Sequence, residues 1–525
     1  MHRPLRSIRL SLSVMAPFLA LALVTENSAE AASGDQLAAV PDSTPSHYKN
    51  TPEKARPVAG SVTHRQIGGN WWTIFHDHTL DTLETSALTA NDDLRSSVAR
   101  VIEARQQMLA AAADFYPHLD AALRGSRQRT TNTGPLQHGR FLGAPASSLT
   151  AGLPGAAASA NPLGNLFEKA ITTQPLTATY NDFRTPLTLT YEVDVFGRIR
   201  GTYGQARATA QAVEADRRAV ELSLTAQVAT NYFALRAFDA QTAVLRRTVS
   251  LRQEEVRLQK ERADLGAGNA LDVARAQVEL DNAQSDLADV GRLRAQAENG
   301  LAALCGQVAS EFHLPPQPLA IEQLPTVPTG IPARLAAQRP DLIEGERRVA
   351  ATAEGIRVAR AELLPSFNLQ GDAGYESAHA GDLTEWQSRI WDIMATVKIP
   401  IFEGGRNLAN LRAARARREE ALAAYQQTAL NAFKEVENAL AELHQRAIQG
   451  SAREKAFTDA GLVLKYSEDR YKEGAVTYFE VIDAERLLLS AELGRIETWN
   501  SRYAATIELV RSLGGSFAES DAKSR

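Results

Sequence analysis

Cysteine is almost absent. A single residue, Cys305, in a chain of 525 excludes an intramolecular disulfide and a cysteine-rich metal cluster. Aromatic residues make up only 6% of the chain. Neither sign of charge is in excess: 57 Lys and Arg against 62 Asp and Glu leave a net −5. That gives no electrostatic basis for a nucleic-acid partner, whose phosphates call for a strong basic surplus. The longest nearly uncharged apolar run, Leu10 to Val24, is shorter than the ~20 residues of a membrane-spanning helix. No Gly-x-Ser-x-Gly, Walker loop or zincin motif occurs, so an enzyme reading has nothing to stand on and no cofactor is implied. With 44% apolar residues the chain can still bury a large core, and composition alone reads as a large soluble protein.

The N-terminus carries an address. Arg3, Arg6 and Arg9 precede the apolar run, and Ala29-Glu30-Ala31 supplies the small residues of a cleavage site, so residues 1–31 are expected to be a secretory signal. A lipoprotein signal requires a cysteine just after the run, and none stands there. A polar extension, 32–70, comes next.

Two stretches then repeat one another. Leu94 precedes Pro117, within Ala113-Asp114-Phe115-Tyr116-Pro117, by the same interval that separates Leu342 from Pro365, within Ala361-Glu362-Leu363-Leu364-Pro365. Phe196-Gly197-Arg198 matches Phe402-Glu403-Gly404-Gly405-Arg406, and Arg198 to Gly266 is as long as Arg406 to Gly474. Matched long spacings between similar local motifs indicate an internal duplication. Repeat 1 is expected over 71–310 and repeat 2 over 333–515, with a Pro-rich connector over 311–332 and a tail over 516–525. The first copy carries extra residues rich in Gly, Ala, Ser, Thr and Pro, around 130–175, which read as an exposed loop.

Each copy combines two periodicities. Leu422, Tyr425, Ala429, Ala432, Val436, Ala439 and Leu443 step by three and four, a heptad seam in which alanines allow close helix approach. Long helices are predicted over 198–264 and 406–472, each about 100 Å at 1.5 Å per residue. Gly266 and Gly474 stand where they would turn back. Beside them lie four segments of period two, at about 117–127, 186–196, 365–375 and 391–401. In the last, Trp391, Ile393, Ala395, Val397, Ile399 and Ile401 alternate with mostly polar residues. Each is close to the ~9–11 residues a tilted strand needs to cross a bilayer. Four strands cannot close a barrel, and an open edge in lipid leaves backbone groups unpaired, so a membrane barrel requires several chains.

The ordered set Trp71-Trp72 with Phe75, Asp77 and Leu80; Asn91-Asp92-Asp93-Leu94; Tyr191-Glu192-Val193-Asp194-Val195-Phe196-Gly197-Arg198; Arg339-Pro340-Asp341-Leu342 with Glu346; Pro400-Ile401-Phe402-Glu403-Gly404-Gly405-Arg406; and Leu513-Gly514-Gly515 resembles the TolC-like outer-membrane factors of tripartite efflux pumps, especially the NodT-like branch. The resemblance implies a mainly α channel-tunnel with membrane β: long coiled-coil helices plus four strands per protomer in a trimeric 12-stranded barrel. It implies a homotrimer held in outer-membrane lipid, most of its mass in the periplasm. Its partners would be a periplasmic adaptor (membrane fusion) protein and an inner-membrane pump of the RND type. The function implied is passive conduction of small molecules to the exterior once the periplasmic gate opens. A periplasmic coiled-coil scaffold, or the outer component of a type I secretion system, are the alternatives.

By that resemblance, Glu480 and Asp483 fall where the family places acidic gate residues and Phe479 where an apolar constriction sits. Arg486 and Tyr471 fall where restraining partners lie, and Asp272 where neighbouring coils are linked. Val476 occupies a position held by a gate arginine in some relatives. Gly266 and Gly474 would mark tips that meet the adaptor. His76 and His78 form a His-x-His with no further ligand nearby in sequence, which favours a surface loop over a metal site. Cys305, among Leu301, Ala302, Ala303 and Leu304, reads as a small core residue.

Overall fold

The computed structural model describes Lys49 and residues 65–66, 70–129, 179–321, 324–325, 327, 335–515 and 518–519. The signal segment, most of the 32–70 extension, the whole of the 130–175 loop and most of the tail lie outside the described residues. Contacts divide the chain into two compact units, one of residues 1–109, 201–356 and 409–525, the other of 110–200 and 357–408.

The first unit is built on helices. Its elements include α1 (His78–Ala90), much of α2 (Asp92–Ala113), α3 (Arg198–Asp264), α4 (Ala270–Leu304), α5 (Pro340–Ala361), α6 (Arg406–Lys472) and α7 (Tyr478–Ser512). The duplication appears as matched lengths: α3 and α6 have 67 residues each, α4 and α7 have 35 each, and α2 and α5 have 22 each. The ends match too. After α3 the Ala267 amide donates to Arg262 O and Gly266 to Ala263 O, and after α6 Ala475 donates to Arg470 O and Gly474 to Tyr471 O. Gly266 and Gly474 sit at φ 72° and 75°, so both helices stop in the left-handed glycine cap that satisfies their last carbonyls.

The main core gathers Trp71, Leu80, Tyr232, Leu235, Leu301 and Ile507, with Phe233 stacked on Tyr503 at 4.2 Å between centroids. Asp77 caps α1, accepting from Thr79 N (2.8 Å) and Leu80 N (3.1 Å), and also accepts the Tyr232 hydroxyl at 2.6 Å. Asn91 accepts from Leu94 N and donates to Leu304 O, tying the start of α2 to the end of α4. Arg339 is buried; it donates to Asp341, to Glu435 on α6 and to Ser512 O at the end of α7. Pro340 opens α5, where a missing N–H has no consequence. The heptad seam forms a second core with Leu335, Leu342 and Leu509, in which Tyr425, Ala429, Ala432, Val436 and Ala439 are buried. At the connector, Arg236 donates to Pro315 O, Arg294 to Leu314 O, and Asp239 accepts from both arginines and from Gln317 N.

The second unit is an antiparallel sheet. Its strands are β1 (His118–Ala121), β2 (Arg124–Arg129), β3 (Thr179–Val193), β4 (Ser366–Ser377) and β5 (Arg389–Lys398). β1 and β2 both pair with β3, β3 pairs with β4, and β4 with β5. β1 and β2 are one strand interrupted, because the register of His118–Ala121 against β3 continues unshifted through Arg124–Arg129. The break faces Pro186, which has no N–H to donate; Ala122 N still donates to Pro186 O at 3.0 Å. On the other side of Pro186 stands Gly374, where a Cβ would lie 2.2 Å from Thr185 O.

Register sorts the faces. Leu119, Leu189, Gly371 and Ile393 form one row, and Ala121, Leu187, Ala373 and Trp391 the next on the same face. The opposite face carries the row Asp120, Thr188, Asp372 and Asp392. One face is therefore suited to lipid and the other to water. Among the described residues neither the β1/β2 edge nor the β5 edge has a pairing strand, the condition a barrel made from several copies removes. At the end of β3, Glu192 accepts two bonds from Arg198 (2.8 and 2.7 Å), and Asp194 accepts the amides of Ile199 and Arg200, capping α3. No helix among the described residues is long and apolar enough to cross a membrane.

Candidate functional site

The turns after α3 and α6 open into α4 and α7. Asn269 caps α4 by accepting from Asp272 N at 2.9 Å, and Asp272 and Glu480 occupy the first turns of their helices, where a carboxylate suits the positive end of the dipole. Arg275 lies 4.0 Å from Asp272, with its guanidinium 5.7 Å from the centre of the Phe479 ring. Phe479 is 52% exposed and Leu265 84%, so each turn presents a bare apolar side chain beside charges.

The restraining bonds run between coils. Tyr471 at the end of α6 accepts from Arg262 at the end of α3. Arg486 on α7 grips Glu279 on α4 with two bonds, one of 2.9 Å from Nε. That grip holds the Glu279 carboxyl below its ordinary range and the Arg486 guanidinium above its own. Glu480 lies 3.7 Å from Arg470. Asp483 is exposed and makes no ion pair among the described residues. Tyr471 and Arg486 thus meet Arg262 and Glu279 within one chain, and not Glu480 or Asp483.

A buried cluster stands just above. Arg252 on α3, 4% exposed, donates to Glu255 at 2.8 Å and to Glu485 on α7. Burial, opposed by Arg252 and assisted by Glu255, pushes the Glu485 carboxyl up to about 7. Burial and the same two carboxylates raise the Tyr478 hydroxyl. Sequence reasoning passed over Arg252, Arg262, Glu279 and Glu485. One signal was available: Arg262 and Arg470 hold equivalent places before the two glycine caps.

The remaining candidates sit elsewhere. His76 adopts φ 52° as the cap of the short Trp71–Phe75 turn, and His78 is exposed, 3.8 Å from Asp81. Cys305 is buried, its thiol pushed up to about 11 by burial and the nearby Glu84, and it donates to Leu83 O.

Known proteins resemble this chain over most of its length. The sequence profile of the family described as "Outer membrane efflux protein" fits residues 83–307 and 331–515. The chain is 31% identical to the cation efflux system protein CusC of Escherichia coli K12, over 85% of this chain and 88% of that one. It is 30% identical to the outer membrane protein OprJ of Pseudomonas aeruginosa, over 89% and 91%. The solved outer-membrane channel OprN superposes with a TM-score of 0.76 at 26% identity, covering 91% of this chain and 98% of that one. With a membrane-suited sheet, paired long helices and this match across both repeats, the chain belongs to the outer membrane efflux protein family, the trimeric channels that join a periplasmic adaptor and an inner-membrane pump to the cell exterior.

Proposed function

We propose that the turns at Gly266 and Gly474 form the periplasmic mouth of the channel and that α7 carries its gate. Three-fold symmetry would bring Glu480 and Asp483 of three protomers toward one axis, a ring of like charge that attracts cations. Phe479 would narrow the opening beside that ring. The observation that carries the reading is the pair of cross-coil bonds, Arg262 to Tyr471 and Arg486 to Glu279, flanking the acidic turn. They tie α6 to α3 and α7 to α4, and an adaptor docking on the tips, near Leu265 and Gly474, would have to loosen them. Asp272, with its Arg275 neighbour, belongs to the same ring of contacts. The matched helix lengths support descent of 71–310 and 333–515 from one duplicated unit.

The duct does no chemistry of its own in this reading. It carries small molecules, and the acidic mouth favours cations and cationic compounds, in line with a relative named for cation efflux. Planar-bilayer recording tests the ring. Wild-type conductance should be blocked by a trivalent cation added on the periplasmic side, and the Glu480→Ala, Asp483→Ala double variant should resist that block. Equal block of both proteins would rule the ring out.

A further inference from the structure

We propose that the outer end of the barrel's lipid-facing surface is a binding belt for the phosphate groups of the outer-leaflet glycolipid, lipopolysaccharide, and that Arg127, Arg129 and Arg389 form it. Residues directly opposite in the register share a face. Arg127 and Arg129 oppose Asn181 and Thr179, and Arg389 opposes Tyr375. All three therefore lie on the face that carries Leu119, Leu187, Leu189, Trp391 and Ile393. Along all five strands this face bears no carboxylate, and these arginines are its only charged residues. Every acidic residue of the strands, such as Asp120, Asp372, Asp392 and Glu376, is on the opposite face.

Height selects the leaflet. β3 leads from Val193 into α3, so Val193 marks the periplasmic end. From Val193 to Phe183 the strand advances about 34 Å at ~3.4 Å per residue, or about 26 Å across the membrane at the usual tilt of ~40°. That is the height of a barrel's apolar band, ~25 Å. Arg127 and Arg129 pair with β3 beyond Phe183, and Arg389 sits two residues past Trp391, in register with Thr185 through Tyr375, so the three bracket the outer rim of the band. The periplasmic rim of the same face, Val193, Phe367 and Val397, is apolar.

The arginines are free to bind. Arg127 and Arg129 are exposed and make no ion pair among the described residues. Arg389 lies over the Trp386 ring and donates its Nε to Trp386 O at 2.9 Å, which orients the guanidinium while leaving its terminal nitrogens open. A guanidinium fork binds phosphate through paired charge-assisted bonds. Because β1/β2 and β5 are the two sheet edges, barrel closure sets Arg389 of one protomer on the strand next to Arg127 and Arg129 of another, about 4.8 Å away laterally. The trimer would then carry three such clusters, one at each seam.

The test uses the purified trimer in phosphatidylcholine vesicles. Added lipid A should raise the thermal midpoint of the wild-type trimer, while lipid A stripped of its phosphates and phosphatidylglycerol should not. Native mass spectrometry should show lipopolysaccharide retained by the wild type and retained on the order of tenfold less by the Arg127→Gln, Arg129→Gln, Arg389→Gln variant. Trivalent block of conductance should be unchanged by that variant, so failure of the belt is separable from failure of the gate. Equal retention by the variant would overturn the proposal. If the variant does not assemble, the wild-type comparison of phosphorylated with dephosphorylated lipid A still decides, and equal shifts would overturn it.

Discussion

Replacing Glu485 with Gln tests whether the cluster above the proposed gate is electrostatically loaded. Arg252 and Glu255 on α3 face Glu485 and Tyr478 on α7, and the neighbouring Glu279–Arg486 pair joins α4 to α7. Burial pushes the Glu485 carboxyl up to about 7, against an ordinary 4.5. Between those values the folded chain keeps a proton that the unfolded chain releases. Stability therefore falls as pH rises from 4.5 to 7 and stays at its lower level above that. The span corresponds to at most about 3 kcal/mol at ~1.4 kcal/mol per unit. The Arg252 bond and the partial exposure of Glu485 are part of the balance that sets this limit. Gln cannot ionise, so the variant loses that slope: it should match the wild type near pH 4.5, exceed it progressively toward pH 7, and keep that margin to pH 8. Thermal midpoints of the detergent-solubilised trimer across pH 4.5–8 measure this, and single-channel opening at pH 5 and 8 shows whether the cluster reaches the mouth. A variant with the wild-type slope would show that Glu485 is not the group that titrates between the two states.

Three further predictions follow from the fold. Glu84 is fully buried, both its carboxylate oxygens lack partners among the described residues, and burial with Asp81 pushes its pKa up to about 9. Glu84→Gln should therefore stabilise the trimer, by up to about 5 kcal/mol at pH 8 and by little near pH 4.5, read from midpoints at the two pH values. Asp77→Ala removes the α1 cap and leaves the Tyr232 hydroxyl without its acceptor; it should cost about 2–4 kcal/mol in denaturant unfolding. Gly374→Val places a side chain against the Thr185 carbonyl and should abolish the heat-modifiable trimer on gels, whereas Gly381→Val, with open space around it, should not.

Much of the architecture is legible from residue spacing, because backbone rules act locally. A left-handed cap needs Gly266 and Gly474, a heptad seam needs Tyr425 and Ala429 at their intervals, and a two-faced strand needs Leu187 and Leu189 alternating with Thr188 and Thr190. Alternation did not reveal the break between β1 and β2, whose cause, Pro186, lies far along the chain on the partner strand. The site is less legible for a similar reason. Arg262 meets Tyr471 and Arg252 meets Glu485 across more than 200 residues, and a charged residue on a helix gives no local sign that another coil will bury it. Glu485 next to Arg486 looks like an ordinary solvated pair, yet the two side chains serve different partners.

In the proposed gate, cross-coil bonds at the helix turns hold the channel closed. Single-channel conductance of the trimer in planar bilayers, compared between wild type and the Arg262→Ala, Arg486→Ala double variant, tests it most directly. The variant should show a several-fold larger conductance, from trimers that remain intact on gels. Intact variant trimers with wild-type conductance would contradict it.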